Sequence, residues 1–306
     1  MLDIFILLLP LFGLMGVGYI IGISKKANEQ WVKVLNLFGY YIAFPALIFN
    51  SLSIASISLA VDGKVMLLQA FIGITLMGVT YAICSAMKLS RELKNTFVIG
   101  IYFANAAYVG IPALDAVFGT TAAGEGAIFA AVMIFITFTM GVGILEASRH
   151  EKIHTKKIFV SILKNPLIWS AVLGILVSIF NIQMPSVAEK LLDYLAGAAT
   201  PAVLVALGIF ISYTRPEMDT IKAAGLLSVI KMLAIPLVFT LIMFITPNHD
   251  WLDVTYIQMS MPLAVTTFAF AEIYPMDKHV ISNSILFSTI GAIITVPLVM
   301  WLTTVI

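Results

Sequence analysis

Long apolar runs constrain the fold of this chain more than any other feature. Ten stretches of about 20 mostly apolar residues follow one another from end to end, with short polar connections between them. A helix of that length crosses about 30 Å of hydrocarbon. Charged residues make up only 11% of the 306 positions, against about 25% in an average soluble protein. The sequence therefore predicts an all-α integral membrane protein with lipid bilayer around most of its surface.

Ten membrane spans are predicted from these runs and from the polar residues that separate them. They cover residues 2–23, 31–54, 64–87, 96–118, 125–148, 161–181, 187–213, 221–246, 252–274 and 279–305. None of the connections is long enough for a separate soluble domain, so residues 1–306 are expected to form a single membrane domain.

Basic residues are unevenly distributed between the two ends of these spans. Alternate connections place 14 Lys and Arg residues on one side and only Lys64 and Lys190 on the other, with Lys231 inside a span. The 14 are Lys25, Lys26, Lys33, Lys88, Arg91, Lys94, Arg149, Lys152, Lys156, Lys157, Lys164, Arg215, Lys222 and Lys278. Basic residues near span ends are retained in the cytoplasm. We therefore expect a multi-pass protein of the cell membrane with both termini extracytoplasmic, and the net charge of +1 indicates no nucleic-acid partner.

Two pairs of proline motifs indicate an internal repeat. Pro45 opens PALIFNSL and Pro201 opens PAVLVALG 156 residues later, and Pro112 and Pro262 are 150 residues apart in the predicted fourth and ninth spans. These offsets suggest a duplication of five spans. The two repeats would cover residues 1–150 and 158–306. Because five is odd, the second copy would be inverted in the membrane, an organisation typical of secondary transporters.

Pro112 and Pro262 are predicted to interrupt their spans. Proline lacks an amide donor and clashes with the preceding turn, and freed backbone groups in a membrane must be satisfied by protein, water or substrate. If each proline begins a second half-helix, two helix N-termini face the membrane centre, where they would attract an anion. A simple kink at each proline is the alternative interpretation.

Several motifs resemble those of the auxin efflux carrier family. The stretch NAAYVGIP from Asn105 to Pro112 is similar to the family's fourth-span signature, in which an Asn precedes the Pro of Gly-Ile-Pro by seven residues. Further matches follow in order along nearly the whole chain. They are KNPLI at 164–168, MP at 184–185, Pro262 with FAFAEIY at 268–274, and Pro297. The chain lacks the long central loop of many plant members and resembles the compact prokaryotic branch of malate and malonate permeases.

The resemblance implies ten helices in two inverted five-helix repeats with crossed broken helices, similar to sodium/proton antiporters and bile-acid symporters. Spans one, two, six and seven would form a scaffold, and the others a moving transport domain. The implied function is secondary active transport of a small organic anion by alternating access. Its substrate would be a carboxylate such as malate, malonate or an auxin-like acid. Proton or sodium coupling stays open, and a homodimer through the scaffold helices is compatible with this fold.

Asn105 is the first candidate for substrate binding. Its amide can donate to a carboxylate without the desolvation cost of an opposing full charge, and it lies two helical turns before the predicted break at Pro112. A hydrogen bond to a neighbouring helix is the structural alternative. The other candidates are Gly110, Pro112, Ser260, Pro262 and Thr266. Hydroxyl groups of Ser and Thr commonly bond their own helix instead.

Lys231 is the one formal charge inside a predicted span. A Lys at the bilayer centre costs about 2.5–3.5 kcal/mol on an insertion scale, so it should face a cavity or a partner, unless it snorkels. By resemblance, a Lys at this place pairs with an acid of the third span, where sodium sits in the bile-acid symporters. Here the third span offers Gln69 and no carboxylate beyond Asp62 at its outer edge. Lys231 and Gln69 are therefore the candidate coupling residues.

An intramembrane enzyme and a channel are the competing functional classes. Metal-dependent membrane enzymes need clustered Asp, Glu or His, and the sequence contains no His-Glu-x-x-His, paired Asp motif or phosphate-binding loop. We therefore expect a carrier that is not an enzyme, without metal or cofactor. Asp115 and Glu272 lie beyond the predicted breaks and are expected to be solvated, with gating or proton transfer as the alternative.

Overall fold

Helices make up the regular structure of the chain. The structure is a computed structural model that describes residues 2–53, 59–141, 143–145, 163, 166–245 and 250–306. Within these ranges there is no strand, only an isolated bridge between Ala104 and Leu263. Five of the basic residues that contribute to the predicted charge asymmetry lie outside the described residues. They are Arg149, Lys152, Lys156 and Lys157 of one connection, and Lys164.

Fourteen α-helices are numbered here in chain order through the described ranges. They are α1 (Leu2–Ile23), α2 (Glu29–Phe38), α3 (Phe44–Ser53), α4 (Leu59–Ala86), α5 (Arg91–Tyr102), α6 (Ile111–Phe118), α7 (Thr120–Ile136), α8 (Pro166–Ile179), α9 (Ser186–Tyr213), α10 (Ile221–Val229), α11 (Ile235–Ile245), α12 (Asp250–Met259), α13 (Thr267–Ile273) and α14 (Lys278–Leu302). Short π-helical turns lie at Gly39–Ala43, Ala106–Gly110, Thr137–Gly141 and Ile230–Ala234.

Seven helical stretches in the described part of the chain are long and apolar enough to cross a membrane. They are Leu2–Ile23, Glu29–Ser53, Gly63–Ala86, Thr120–Leu145, Ser186–Tyr213, Met218–Phe244 and Lys278–Leu302. The predicted spans at 96–118 and 252–274 correspond to interrupted helices, and the span at 161–181 to the shorter α8. The all-helical membrane character is confirmed, whereas ten spans in an inverted repeat stay a prediction.

The chain divides into two compact units, each built from three segments. Unit 1 comprises Met1–Met66, Ala106–Ala131 and Asn165–Thr214, and unit 2 comprises Leu67–Asn105, Val132–Lys164 and Arg215–Ile306. Unit 1 therefore contains α1, α2, α3, α8 and α9, which correspond to the spans that the family resemblance assigns to a scaffold. It also contains α6 and most of α7, which the resemblance assigns to the transport domain, so the two divisions of the chain agree only in part.

Glycines allow α1 and α9 to pack closely within unit 1. A Cβ atom added to Gly18 would overlap the Val205 carbonyl, and one added to Gly208 would overlap the Met15 carbonyl. Small residues let backbones approach closely in membrane proteins, where dispersion contacts and not hydrophobic burial drive helix association. The two glycines thus act reciprocally, one on each helix.

Three π-helical turns each end two residues before a proline. Gly39–Ala43 precedes Pro45, Ala106–Gly110 precedes Pro112, and Ile230–Ala234 precedes Pro236. A proline ring clashes with the carbonyl four residues earlier and offers it no amide. A π turn bonds residues five apart and is therefore wider. This widened turn lets the helix that resumes at Ala106 continue through Pro112.

Gly119 forms the corner between α6 and α7 in unit 1. Its φ of 84° lies in the left-handed region that glycine adopts without a steric penalty, and its N–H donates to the Asp115 carbonyl at 3.0 Å. Because α7 begins at the next residue, Thr120, the helix starts before the predicted boundary at 125. A single glycine is enough to separate the two helices here.

The first turns of α5 hold the connection between α13 and α14 within unit 2. The Asn95 side chain donates to the Pro275 carbonyl at 2.9 Å, and the Thr96 hydroxyl accepts from the Asp277 N–H at 2.9 Å. Both side chains are fully buried. These bonds fix the start of α5 against the chain that follows α13, and so position the other end of α5 at the site described next.

Candidate functional site

Two interrupted helices cross within unit 2 through their backbones. The α5 helix ends at Tyr102 and helical structure resumes at Ala106, while α12 ends at Met259 and α13 begins at Thr267. The Asn105 N–H donates to the Pro262 carbonyl at 2.7 Å, and the Ala264 N–H donates to the Phe103 carbonyl at 3.1 Å. We call residues 103–105 and 260–266 the crossing. Each interruption satisfies backbone groups that the other leaves without a helical partner, as a membrane environment requires.

The predicted position of the breaks at the two prolines is wrong in detail. Asn105 was expected two turns before a break at Pro112, but it lies inside the interruption, and Pro112 follows a helical turn that has already begun. Pro262 lies within its interruption, five residues before α13 begins. The helices end where the crossing supplies new hydrogen-bond partners, and not where proline removes a donor.

The side chain of Asn105 is an unsatisfied donor at the crossing. Only 3% of the residue is exposed, and its Nδ2 atom has no hydrogen-bond partner among the described residues. Its main-chain N–H is already used on Pro262. A buried amide donor without a partner costs about 1–3 kcal/mol. The crossing therefore contains one strong donor that is free to bind an acceptor from outside the chain.

Lys231 completes the hydrogen bonding at the end of α5. In a continuous helix the Ile101 carbonyl would accept from the Asn105 N–H, but that N–H is directed to Pro262. The Lys231 Nζ atom donates to the Ile101 carbonyl instead, at 2.9 Å. A positive charge at a helix C-terminus also stabilises the helix dipole. The Lys231 ammonium thus replaces the backbone donor that the interruption removes.

Lys231 is fully buried, at 0% exposure, inside the π-helical turn Ile230–Ala234 of unit 2. None of the carboxylates in the described residues forms an ion pair with it. The side chain therefore neither snorkels to an interface nor pairs with an acid of the third span. The requirement that it meet a partner is fulfilled by a main-chain carbonyl.

Gln69 has a different partner from Lys231. Its Nε2 atom donates to the Thr255 hydroxyl of α12 at 3.1 Å, and both side chains are buried. Its Oε1 atom is buried without a partner among the described residues. The two candidate coupling residues are thus not joined by a hydrogen bond, and each donates to an acceptor on another helix.

The remaining candidate residues lie in different surroundings. The Ser260 hydroxyl is buried and donates to the Tyr256 carbonyl of its own helix at 2.7 Å, which is the alternative expected for a serine. Thr266 is the half-buried N-cap of α13 and makes no side-chain cap bond. Gly110 and Pro112 are buried in unit 1. Asn105 and Pro262 are the candidates that the crossing brings into direct contact.

Ser288 lies at the site and was not singled out by the sequence, and Thr267 provides a second hydroxyl there. The Ser288 hydroxyl on α14 accepts from the Leu263 N–H at 3.1 Å and is fully buried. It therefore satisfies a further backbone group of the crossing. The Thr267 hydroxyl, at the start of α13, is buried and has no partner in the described part of the chain. Nothing in a single sequence separates these hydroxyls from the many that bond their own helix.

Residues 3–300 match the family model described as membrane transport protein. The chain belongs to this family. The predicted resemblance to the auxin efflux carriers is also confirmed, because the chain is 25% identical over 143 residues to auxin efflux carrier component 3a of Oryza sativa subsp. japonica. That match covers 45% of this chain and 23% of the plant protein.

Prokaryotic members of the family match over almost their whole length. An "Uncharacterized transporter" of Methanothermobacter thermautotrophicus is 25% identical over 290 residues, which cover 92% of each chain. A "Putative malonate transporter" of Rhizobium meliloti is 24% identical over 304 residues, which cover 97% of this chain and 94% of that protein. The protein is therefore a multi-pass membrane transporter and not an enzyme.

Proposed function

We propose that this transporter carries a small organic anion, a carboxylate such as malonate or malate, by alternating access, and that the crossing in unit 2 is its substrate site. The proposal includes ten spans in two inverted repeats, a location in the cell membrane with both termini outside, and a homodimer through the scaffold helices. The unsatisfied Nδ2 donor of Asn105 is the observation that carries it.

The chemistry of Asn105 favours an anionic ligand. Hydrogen bonds to a charged acceptor contribute about 1.5–3 kcal/mol, roughly twice the contribution of neutral ones. A carboxylate oxygen that accepts from Nδ2 would also remove the cost of the unsatisfied donor. Since Nδ2 is buried, a ligand meets it only in a conformation that opens the crossing, as alternating access requires.

Lys231 adds positive charge to the same region. Its ammonium is bonded to Ile101, which lies one helical turn before Asn105. Charges in a low-dielectric interior act over longer distances than in water. The ammonium would therefore attract a carboxylate to the crossing while its own hydrogen bond holds the end of α5.

The related proteins are consistent with a carboxylate substrate. The relative of Rhizobium meliloti, which aligns with 97% of this chain, is named for malonate, and the plant relatives are named as carriers of auxin, itself a carboxylic acid. Both substrate names share the group that an amide donor would bind. The common carboxylate, and not either molecule as a whole, is what we infer for this chain.

Uptake and binding of malonate by the purified protein in liposomes test the proposal. We expect Asn105→Ala to weaken binding at least tenfold, about 1.4 kcal/mol, with unchanged expression and monodispersity. Asn283→Ala is the matched control, because Asn283 is equally buried but its amide already donates to Thr220 and Glu217. Unchanged affinity in Asn105→Ala, or no uptake of any mono- or dicarboxylate by the wild-type protein, would refute the proposal.

A further inference from the structure

A cleft of about 170 Å³ lies within unit 1, and none of its lining residues belongs to the crossing. Five polar side chains line it. They are Asn50 and Ser51 of α3, Asp115 of α6, Thr120 of α7 and Thr200 of α9. Asp115 lies in the last turn of α6 and Thr120 is the first residue of α7, and Gly119 joins the two helices, so both side chains line the cleft. Asn50 belongs to the motif that begins at Pro45, and Thr200 directly precedes the motif that begins at Pro201; the proposed function gives neither motif a role.

The oxygen atoms of the cleft are not used by the protein. Within the described residues, the Asp115 carboxylate forms no ion pair and no side-chain hydrogen bond, and the hydroxyls of Ser51, Thr120 and Thr200 have no partner either. Hydroxyl groups on membrane helices commonly bond the carbonyl one turn earlier, which those of Ser51 and Thr200 do not, while Thr120 is the exposed first residue of its helix. All three hydroxyls are available for a ligand.

Asn50 presents an acceptor to the cleft. Its Nδ2 atom donates to Asp193 Oδ1 at 2.9 Å, which leaves the carbonyl oxygen as the free end of the amide. Asp193 also places a second carboxylate one hydrogen bond away from the lining. Asp115 is the single charged residue of the lining itself. The cleft is therefore rich in oxygen acceptors, and the one formal charge of its lining is negative, the reverse of a site for an anionic substrate.

We infer that this cleft binds a monovalent alkali cation, with Asp115 as its charged ligand and the neutral oxygens of Asn50, Ser51, Thr120 and Thr200 around it. Carboxylate, carbonyl and hydroxyl oxygens suit hard cations, and the one carboxylate of the lining offsets only half of the charge of a divalent ion. One carboxylate matches one positive charge. At roughly 30 Å³ for each water in the liquid, the cleft has room for the ion with several water molecules.

The role of such a site as the coupling site of a carrier rests on the proposed function. A cation that enters with a carboxylate cancels part of the charge moved across the membrane, at about 2.3 kcal/mol for each elementary charge per 100 mV. The binding of the cation itself does not depend on the anion and is tested without it.

Thermal unfolding of the purified protein in sodium, potassium or choline chloride at equal ionic strength tests the cation site. We expect sodium or potassium to stabilise the wild-type protein saturably beyond choline. Asp115→Asn should weaken the apparent affinity for the cation at least tenfold. Asp219→Asn is the matched control, since Asp219 is an exposed acid of unit 2 outside the cleft, and it should leave the affinity unchanged.

Thr120→Val keeps the size of the side chain and removes one hydroxyl, so it should weaken cation affinity several-fold even if Asp115→Asn does not fold. Equal unfolding of the wild-type protein in all three salts would overturn the inference, as would stabilisation by calcium alone or unaltered cation affinity in both variants. Malonate uptake by the same preparations separates the two proposals. Missing uptake in every salt counts against the anion carrier, whereas uptake by a protein that sodium and potassium do not stabilise counts against the cation site.

Discussion

Replacement of Lys231 tests how a membrane interior accommodates a buried ammonium. Lys231→Met removes the donor to the Ile101 carbonyl, which leaves a buried acceptor unsatisfied at a cost of about 1–3 kcal/mol. The same change removes the cost of holding an ammonium at the bilayer centre, about 2.5–3.5 kcal/mol on an insertion scale. These terms have opposite sign and similar size. We therefore expect Lys231→Met to change the free energy of unfolding by less than about 1.5 kcal/mol.

Lys231→Arg should be more destabilising than Lys231→Met, although it keeps the charge. The site is fully buried, and a larger group in a packed interior costs about 1–3 kcal/mol. Arginine also carries five donors in a planar fork, while Ile101 offers one carbonyl. Most of the new donors would be left without an acceptor.

Thermal or denaturant unfolding in detergent gives the order of stabilities, and uptake against external pH in liposomes gives the functional effect. We expect Lys231→Met to be about as stable as the wild-type protein, to bind malonate more weakly because a positive charge is lost, and to transport with a flattened pH dependence. If Lys231→Met unfolds more readily than Lys231→Arg, the balance between the two terms is wrong. An unaltered pH profile would reduce Lys231 to a structural donor for Ile101.

Three further predictions concern packing, the crossing and topology. Gly208→Ala should destabilise the protein by about 1–3 kcal/mol because the new methyl group meets the Met15 backbone. Gly13→Ala should be neutral, because nothing lies within 4 Å of its new methyl group; equal melting temperatures of the two variants would contradict the packing of α1 on α9. Ser288→Ala should lower the free energy of unfolding by about 1–3 kcal/mol, because it leaves the Leu263 N–H without an acceptor. Thr295→Val should lower it less, because the Thr295 hydroxyl bonds only its own helix; similar losses of stability would refute the role of Ser288 at the crossing. In a Cys84→Ala background, Lys26→Cys should react only with reagents that reach the cytoplasm, and Gln183→Cys should react with membrane-impermeant reagents from outside. Labelling of Lys26→Cys by an impermeant reagent in intact cells would overturn the orientation.

Helical spans were predictable where a long apolar run alone decides the structure. The predicted first span at 2–23 has the same limits as α1, and the seventh at 187–213 lies within Ser186–Tyr213. In hydrocarbon every backbone group must be bonded within the segment, so length and composition almost determine such a helix. No tertiary partner has to be known.

The ends of the interrupted helices depend on tertiary contacts and could not be read from local rules. The prolines indicated which two spans are interrupted. The helix ends before Asn105, however, because the N–H of Asn105 donates to the carbonyl of Pro262, 157 positions later in the chain. The hydrogen-bond partner of Lys231 could not be predicted either, because it also depends on a tertiary contact. A search for acids in the third span could not find a carbonyl of α5 that is free only because the helix is interrupted there.

The crossing links substrate binding to conformational change through hydrogen bonds that compete for the same short segment. A ligand shifts a conformational equilibrium only by its difference in affinity between the states. Asn105 Nδ2 is sealed in this conformation, so a carboxylate would bind almost entirely to a conformation in which that atom is accessible. One charge-assisted bond of about 1.5–3 kcal/mol would then shift the equilibrium roughly 10- to 150-fold toward that conformation.

Any opening that moves Asn105 also strains the hydrogen bond from its N–H to the Pro262 carbonyl. The Ile101 carbonyl, one turn earlier in the chain, then keeps its hydrogen bond only if Lys231 moves with it. The proposed substrate contact and the buried lysine therefore act on the same turn of α5, which would explain why a costly charge is kept at that position.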